Sequence, residues 1–470
     1  MRTLITIFAI ALLGLSVGVF VVRRQVAPYA PIVHNAVVPE LLLERMPTET
    51  ESTLMDLLSN KQWLVVFQNP YELRATGGFW GTVGLMTMGH GTIAKLTAQN
   101  VYDLDGPAEQ RANELPLPPR PLQQYLRVLR WYLRDANWDP DFALSAARAI
   151  EFYQHQTKQP LPVDGVIAVN PQLLVDVLTA TGPIDINGVH FRADTALDTI
   201  IEAVELSYRD RKTPFFNRKE ILEHLVKELL KKLEVLPTQQ LVALTRHIPE
   251  YQQQRVVQMF ARDPYIQEKL SALGWTGSII KSAGDYLMVV DSNLAAYKSD
   301  AVMERSTQYT IHVPAQGGRV LAELRLEYHH TKKVFDWKTT RYRTYTRVLV
   351  PFGSSLLGST GTLKDDKLRN PKGESGVVDV AEYHGKTEFG FFISIEPGDT
   401  GVITLRYLLP ADLSRQIRER GQYEISVQHQ SGVRNRPLTV QLQSDTTPKP
   451  LTVVRRDGTT DESISVSFPK

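Results

Sequence analysis

The chain has 470 residues, 43% of them apolar and 22% charged, with 53 Lys and Arg against 51 Asp and Glu. That length exceeds what one hydrophobic core serves, so two folded units are expected, and the average composition excludes both wholesale disorder and a many-helix membrane protein. Near-neutral charge without a long basic run excludes a nucleic-acid partner. The absence of cysteine excludes disulfides, thiol catalysis and cysteine-ligated metal centres.

Thr3 to Val22, TLITIFAIALLGLSVGVFVV, carries no charge. At about 1.5 Å per residue it covers the ~30 Å hydrocarbon core of a bilayer as one transmembrane helix. A cleaved signal peptide is the competing reading, but Arg23, Arg24 and Gln25 follow at once and no small-residue cleavage site does. Arg2 and the free amine on one side nearly balance Arg23 and Arg24 on the other, so charge alone leaves the orientation open. The proline-spaced stretch VAPYAPIVHNAVVP then suggests an extended stalk. Residues 1–24 are thus expected to be an anchor and 25–40 a stalk.

Residues 41–298 read as an α/β domain with a mixed sheet flanked by helices, and the apolar positions of Leu41 to Leu58 open it. The unbroken apolar run Trp63 to Phe67 predicts a central strand, and Phe79 to Thr87 and Thr92 to Leu104 predict two more, joined through Gly89, His90 and Gly91. Leu122, Tyr125, Leu126, Leu129 and Leu133 recur at helical spacing and predict a helix ending near Arg134. A second helix is expected to start with Asp139 as N-cap and Pro140 at its first position, and to run through Phe142, Ile150 and Tyr153. Val163 to Asn170 predicts a strand, Asn170-Pro171 opens a helix that stops at Gly182, and Ile184 to Ile186 predicts a further strand. Four helices are expected after it: Ala196 to Tyr208, Arg218 to Leu236 behind an Asn217 cap, Thr238 to His247, and Gln252 to Leu273 with a break near Pro264. Acids and bases alternate along KEILEHLVKELLKKLEVL, as on a solvated face.

From Ser299 to the end the texture changes to alternating segments, among them STQYTIHV, RVLAELRLEY, RTYTRVLV, EFGFFISI and YEISVQ, which predict an all-β sandwich over residues 299–470. His329 and His330 would point to opposite faces of one strand. This unit reads as structural or adhesive.

No HExxH, Walker A, GxSxG, GxGxxG or EF-hand pattern is present, so any chemistry must come from less familiar clusters. The densest is QNPYELRATGGFWG, which places Asn69, Glu72, Arg74 and Thr76 in a loop leaving the first strand and closed by Gly77 and Gly78. A guanidinium beside paired glycines suits a phosphate, while a plain turn with Arg74 paired to Glu72 suits the same residues. In VYDLDG, Asp103 and Asp105 are two apart and on a strand would face the same way, as a shared Mg²⁺ requires; Asp105-Gly106 also fits a turn. In RDANWDPDF, helix capping accounts for Asp139 and Asp141 and the preceding helix dipole for Arg134. Asp135 and Asn137 are left for a functional role or for stiffening the loop. Trp80, Trp138 and Tyr132 suit either a sugar-binding surface or the core.

With FQNPYELRATGGFWGTVG, VYDLDG, LRDANWDPDF and VDGVIAVNPQLLVDVLTATGPI, the chain closely resembles the uncharacterised bacterial family called domain of unknown function 4012. Later pieces, including RKEILEHLVKELLKKL, FARDPYIQEKLSALGW, DSNLAAYKSDAVMERSTQYTI and RTYTRVLVPFGS, extend the likeness from about residue 40 nearly to the end. Tyr297 stands where the family more often has Asn. The resemblance implies an anchored envelope protein whose body lies outside the cytoplasm. The order GFWGTVGLMTMGHGTI, VYDLDG, VDGVIAVNPQLLVDVLTATGPIDI is also similar, more faintly, to the LytR-CpsA-Psr envelope enzymes, which transfer glycopolymers from pyrophosphoryl lipid carriers. That likeness implies a phosphotransferase in which Arg74 and Arg134 hold a pyrophosphate and Asp103, Asp105 or Asp135 positions Mg²⁺. The partner would then be a polyprenyl-linked glycopolymer. The alternative is a non-catalytic envelope module that binds a polysaccharide or a partner protein.

Overall fold

Strand β1 (Gln62–Asn69) buries both of its faces, and this fixes the layering of the first domain. Trp63 and Val65 point into one apolar layer, Leu64 and Val66 into the other, as the two-residue period of a strand dictates. The computed structural model describes residues 60–89, 92–210, 220–444 and 452–468. The expected anchor, stalk and Leu41 to Leu58 segment lie outside the described residues, as do His90, Gly91 and Asn217. No helix among the described residues is long and apolar enough to cross a membrane.

A five-stranded mixed sheet runs in the order β3-β2-β1-β4-β7. Its strands are β1, β2 (Phe79–Gly89), β3 (Thr92–Asn100), β4 (Gly165–Val169) and β7 (Val257–Ala261), with β4 parallel to β1 and the other pairs antiparallel. One face is covered by α1 (Val101–Glu109) and α2 (Phe142–Thr157). The other carries α3 (Gln172–Thr181), α4 (Ala196–Asp210), α5 (Glu220–Glu234), α6 (Thr238–Thr245), α7 (Ile248–Gln253) and α8 (Pro264–Ala272). The short strands β5 (Ile184–Ile186) and β6 (Val189–Phe191) pair only with each other, so Ile184 to Ile186 is a strand outside the main sheet.

Four expectations in this domain are corrected. Thr92 to Leu104 is not one strand: Asn100 caps a helix, its Oδ1 accepting from the Tyr102 amide at 3.3 Å, so VYDLDG is helical. Leu122 to Leu133 is not one helix but a π-turn over Leu122–Leu126 and a 3-10 turn over Leu133–Asp135. Leu122 and Tyr125 pack on Tyr345 and Phe392 of the second domain, while Leu133 packs in the first; one straight helix cannot serve both cores, and Leu129 is left exposed between them. Helix α2 starts two residues later than expected, capped by Asp141 rather than Asp139. Gln252 to Leu273 contains the edge strand β7: Arg255, with φ of 53°, ends α7, and Asp263 caps α8 behind Pro264.

The second domain holds two six-stranded sheets packed face to face around one core, in the orders β12-β15-β10-β9-β17-β18 and β13-β14-β11-β8-β16-β19. These are β8 (Asp285–Asn293), β9 (Met303–Val313), β10 (Leu321–His330), β11 (Tyr342–Pro351), β12 (Ser355–Thr360), β13 (Asp379–Tyr383), β14 (Lys386–Ile395), β15 (Thr400–Leu408), β16 (Gln422–Gln428), β17 (Leu438–Ser444), β18 (Thr452–Arg456) and β19 (Glu462–Ser467). Helix α9 (Ala411–Arg420) joins β15 to β16. The sandwich begins at β8, ahead of the expected boundary at Ser299, and each sheet contains one parallel pair. Strand β8 is buried along its whole length. Leu287 and Val289 enter the sandwich core, whereas Tyr286, Met288 and Val290 turn outward onto Ala75 of the first domain. His330 is buried and His329 lies on the opposite face of β10, as strand geometry requires.

Gly165 shows how tightly β4 is seated: a Cβ there would lie 1.9 Å from the Phe260 carbonyl oxygen and 2.7 Å from the Trp63 ring. Gly165→Ala is expected to lower stability by about 1 to 3 kcal/mol through overpacking, measurable as a shift in the urea midpoint with an unchanged slope.

Candidate functional site

The loop that leaves β1 turns at Asn69, whose Oδ1 accepts from the Tyr71 amide at 3.1 Å and whose carbonyl accepts from Glu72 N at 3.1 Å. It then drives Arg74 between the two domains, where the residue is only 2% exposed. The guanidinium has five N–H donors, and protein acceptors take all five. Nε donates to Asp135 Oδ1 at 3.3 Å; Nη1 donates to the carbonyls of Leu73 at 3.2 Å and Asn293 at 2.6 Å. Nη2 donates to Glu72 Oε1 and Asp135 Oδ1, each at 3.1 Å.

The three sequence clusters do converge. Asp135 Oδ2 lies 3.7 Å from Arg134 Nε, and Arg134 Nη1 donates to Asp105 Oδ2 at 2.9 Å. Glu72, Arg74, Asp135, Arg134 and Asp105 therefore form one line of alternating charge, with three acids and two bases. Only Arg134 reaches the surface, with its guanidinium 4.2 Å from the Tyr132 ring centroid and 5.4 Å from that of Tyr102. Burial raises the Glu72 carboxyl above its usual range, against the pull of Arg74. Burial likewise pushes Asp105 up to about 7, with Arg134 opposing.

Thr76 and Asn137 sit beside this line. Asn137 Nδ2 donates to Thr76 Oγ1 at 2.9 Å and to the Gly78 carbonyl at 2.8 Å, and Thr76 donates to Gln68 Oε1 at 2.8 Å. Asn137 Oδ1 and Gln68 Nε2 have no partner. Gly77 does not form an open phosphate cradle. Its φ is +127°, and it is packed so closely on the second domain that a Cβ on Gly432 would lie 1.9 Å from the Gly77 carbonyl oxygen. The Gly77 amide is already donated to the Arg74 carbonyl at 2.9 Å.

The shared-cation reading of Asp103 and Asp105 is corrected. On helix α1 residues two apart point to opposite sides; Asp103 is exposed while Asp105 is fully buried against Arg134. Among the described residues no three His, Asp or Glu side chains gather as a metal site. Trp80 and Tyr132 are buried and Trp138 is half-buried under Arg347, which places all three in packing. Sequence reasoning missed the partners supplied by the second domain: the acceptors Asn293 and Asp300 and the donor Gln430. The segment DSNLAAYKSD carried the first two, but no local pattern ties them to a loop more than 200 residues earlier.

Two outcomes follow. Arg74→Ala leaves Glu72 buried without its cation and Asp135 with only the 3.7 Å contact to Arg134, and is expected to cost about 3 to 5 kcal/mol, read by chemical denaturation. Asp105 binds its proton more tightly folded than unfolded, where its ordinary value is 3.8. Its contribution to stability is therefore fully present at low pH and is lost as pH rises towards about 7, at roughly 1.4 kcal/mol per unit at most. Asp105→Asn is expected to flatten that decline between about pH 4 and 7; an unchanged slope would exclude Asp105 as its source.

No curated protein matches the chain. Among solved structures, a mutant M1 zinc metallopeptidase from Deinococcus radiodurans is 12% identical with a TM-score of 0.18, covering 35% of this chain and 38% of its own. A putative nutrient binding protein from Legionella pneumophila is 8% identical with a TM-score of 0.18, covering 34% of this chain and 55% of its own. The chain thus spans well under two thirds of either, and overlaps this weak carry no argument about fold or activity. The family described as Protein of unknown function (DUF4012) matches residues 59–204, the segment that holds Arg74, Asp105, Asp135 and Asn137. Over those residues, about a third of the chain, the protein is similar to the DUF4012 family.

Proposed function

We propose that the protein is a non-catalytic module of the bacterial cell envelope, tethered through the uncharged segment Thr3 to Val22 with its body outside the cytoplasm, and that it binds a polysaccharide. The observation that carries this reading is the saturation of Arg74: a guanidinium with all five donors committed to protein acceptors has none for a pyrophosphate. A phosphotransferase of the LytR-CpsA-Psr kind needs that arginine free and a cation beside it. The uncharged first segment and the absence of cysteine support an extracytoplasmic, membrane-held setting.

Full-length protein in detergent, mixed with a polyprenyl pyrophosphate analogue with and without Mg²⁺, is expected to show neither metal-dependent binding nor transfer, yet to cosediment with insoluble wall polysaccharide. Metal-dependent binding that Arg74→Lys abolishes, with the fold intact by circular dichroism, would restore the phosphotransferase. Recovery of the unprocessed chain in the aqueous cell fraction would remove the tether.

A further inference from the structure

Where β1 ends, the first domain and the sandwich enclose a cavity of about 230 Å³. Tyr71 forms one wall, Arg305 lies among the lining residues, and Glu304, Thr331, Arg434 and Asn435 line the side of the second domain. Crevices at strand ends and domain junctions are common ligand sites. We propose that this cleft binds one unit of a neutral, hydroxyl-rich glycan, and that the exposed turn beside it stacks on neighbouring units; the proposal rests on the polysaccharide-binding reading and locates it.

The lining chemistry selects the ligand. Arg305 is committed to Asp291, Asp300 and Tyr342, so the deep charges cancel within the protein. Arg434 uses one donor, on the Tyr71 hydroxyl at 2.6 Å, with its guanidinium 5.1 Å from that ring's centroid. Its other N–H groups have no acceptor among the described residues, and neither the Asn435 amide nor the Glu304 carboxylate has a side-chain partner there. One guanidinium, one amide and one carboxylate supply planar donors and acceptors of near-zero net charge. Vicinal hydroxyls, each both donor and acceptor, satisfy such a set, whereas an anion would face Glu304.

Thr331 also opens the connection between β10 and β11, in which Val334, Phe335 and Trp337 are 66%, 54% and 42% exposed. Asp336 fixes this turn from within. Its Oδ1 accepts from Lys338 N at 2.9 Å, Thr339 N at 2.5 Å and Thr339 Oγ1 at 2.8 Å, and its Oδ2 from Lys332 Nζ at 2.6 Å. The turn abuts the cleft, because Lys338, next to Trp337, places its Nζ 4.9 Å from the Tyr71 ring centroid. Two rings held on a rigid turn lose little entropy when a sugar face stacks on them.

Calorimetric titration of the full-length protein in detergent with maltohexaose and with chitohexaose tests the proposal. At least one is expected to bind, about tenfold more weakly in Trp337→Ala and in Asn435→Ala, two surface changes expected to leave the melting temperature unaltered. Binding that is unchanged in both variants, or retention on wall polysaccharide without binding of either hexasaccharide, overturns the cleft while the module reading stands. Loss of wall retention as well overturns both. Preference for polygalacturonate, removed by Arg434→Ala, overturns the neutral class. Trp337-dependent flotation with phosphatidylglycerol vesicles, without hexasaccharide binding, assigns the turn to a membrane and overturns the proposal.

Discussion

A guanidinium cannot be taken out of water cheaply, and the Arg74 side chain is taken out of it almost completely. Several kcal/mol of desolvation must be offset, which requires every N–H to meet an acceptor in good geometry. The acceptors come from three places: Glu72 and Leu73 beside it, Asp135 in the turn before α2, and the Asn293 carbonyl at the end of β8. The arginine is satisfied only when both domains are docked, so its burial makes the docked state the one low-energy arrangement. The surrounding backbone follows. Asn293 N donates to the Leu73 carbonyl at 2.9 Å, Leu73 N to Asp300 Oδ2 at 3.0 Å, and Gln430 Nε2 to the Arg74 carbonyl at 3.1 Å. The loop is thereby stitched onto the outer face of the second sheet, at β8.

The layering was largely legible in the sequence. Trp63 to Phe67 and VDGVIAVN announced central strands because a strand buried on both faces must be apolar at every position, and the alternation beyond Ser299 announced the sandwich. The failures share one physical cause. Leu122 to Leu133 has helical spacing, but its leucines belong to two different cores, and periodicity reports that residues are apolar without saying against what. Gln252 to Leu273 failed similarly: Val257 and Met259 fit one stripe of a helix, yet they belong to a fifth strand paired with β4, whose residues Gly165 to Val169 lie far earlier in the chain. Only the Asp263-Pro264 cap marked the interruption locally. Short apolar runs are decided by tertiary context.

The polar clusters were legible as positions and illegible as roles. Arg74, Asp135 and Asn137 were singled out for their density of charge and amide, and the structure brings them together with Glu72, Thr76 and Asp105. Density alone does not say whether a site is filled by a ligand or by the protein itself. The distinguishing quantity is the count of free donors on Arg74, which depends on the Asn293 carbonyl and so on how the two domains dock. For Asp103 and Asp105 the error was one of period: a carboxylate pair two apart faces one way on a strand and opposite ways on a helix, and the Asn100 cap turns the one into the other.

The same docking shapes the junction cleft. Asp300, which accepts from Leu73 N, is bonded to Arg305, and both line the cavity, so the contacts that hold the domains together are also its floor. Tyr71 is held in the same way: its carbonyl accepts from Asp300 N at 3.2 Å, while Arg434 and Lys338 lie near its ring. A cavity walled by groups that are already hydrogen-bonded across a rigid interface does not have to be ordered by its ligand. Weak individual contacts, such as hydroxyls on an amide and a carboxylate, then suffice for binding, because little conformational entropy is lost when they form. On the proposed reading such a surface would serve a repeating polymer, for which many modest attachments hold a long chain and each can release and re-form without unfolding the protein that bears it.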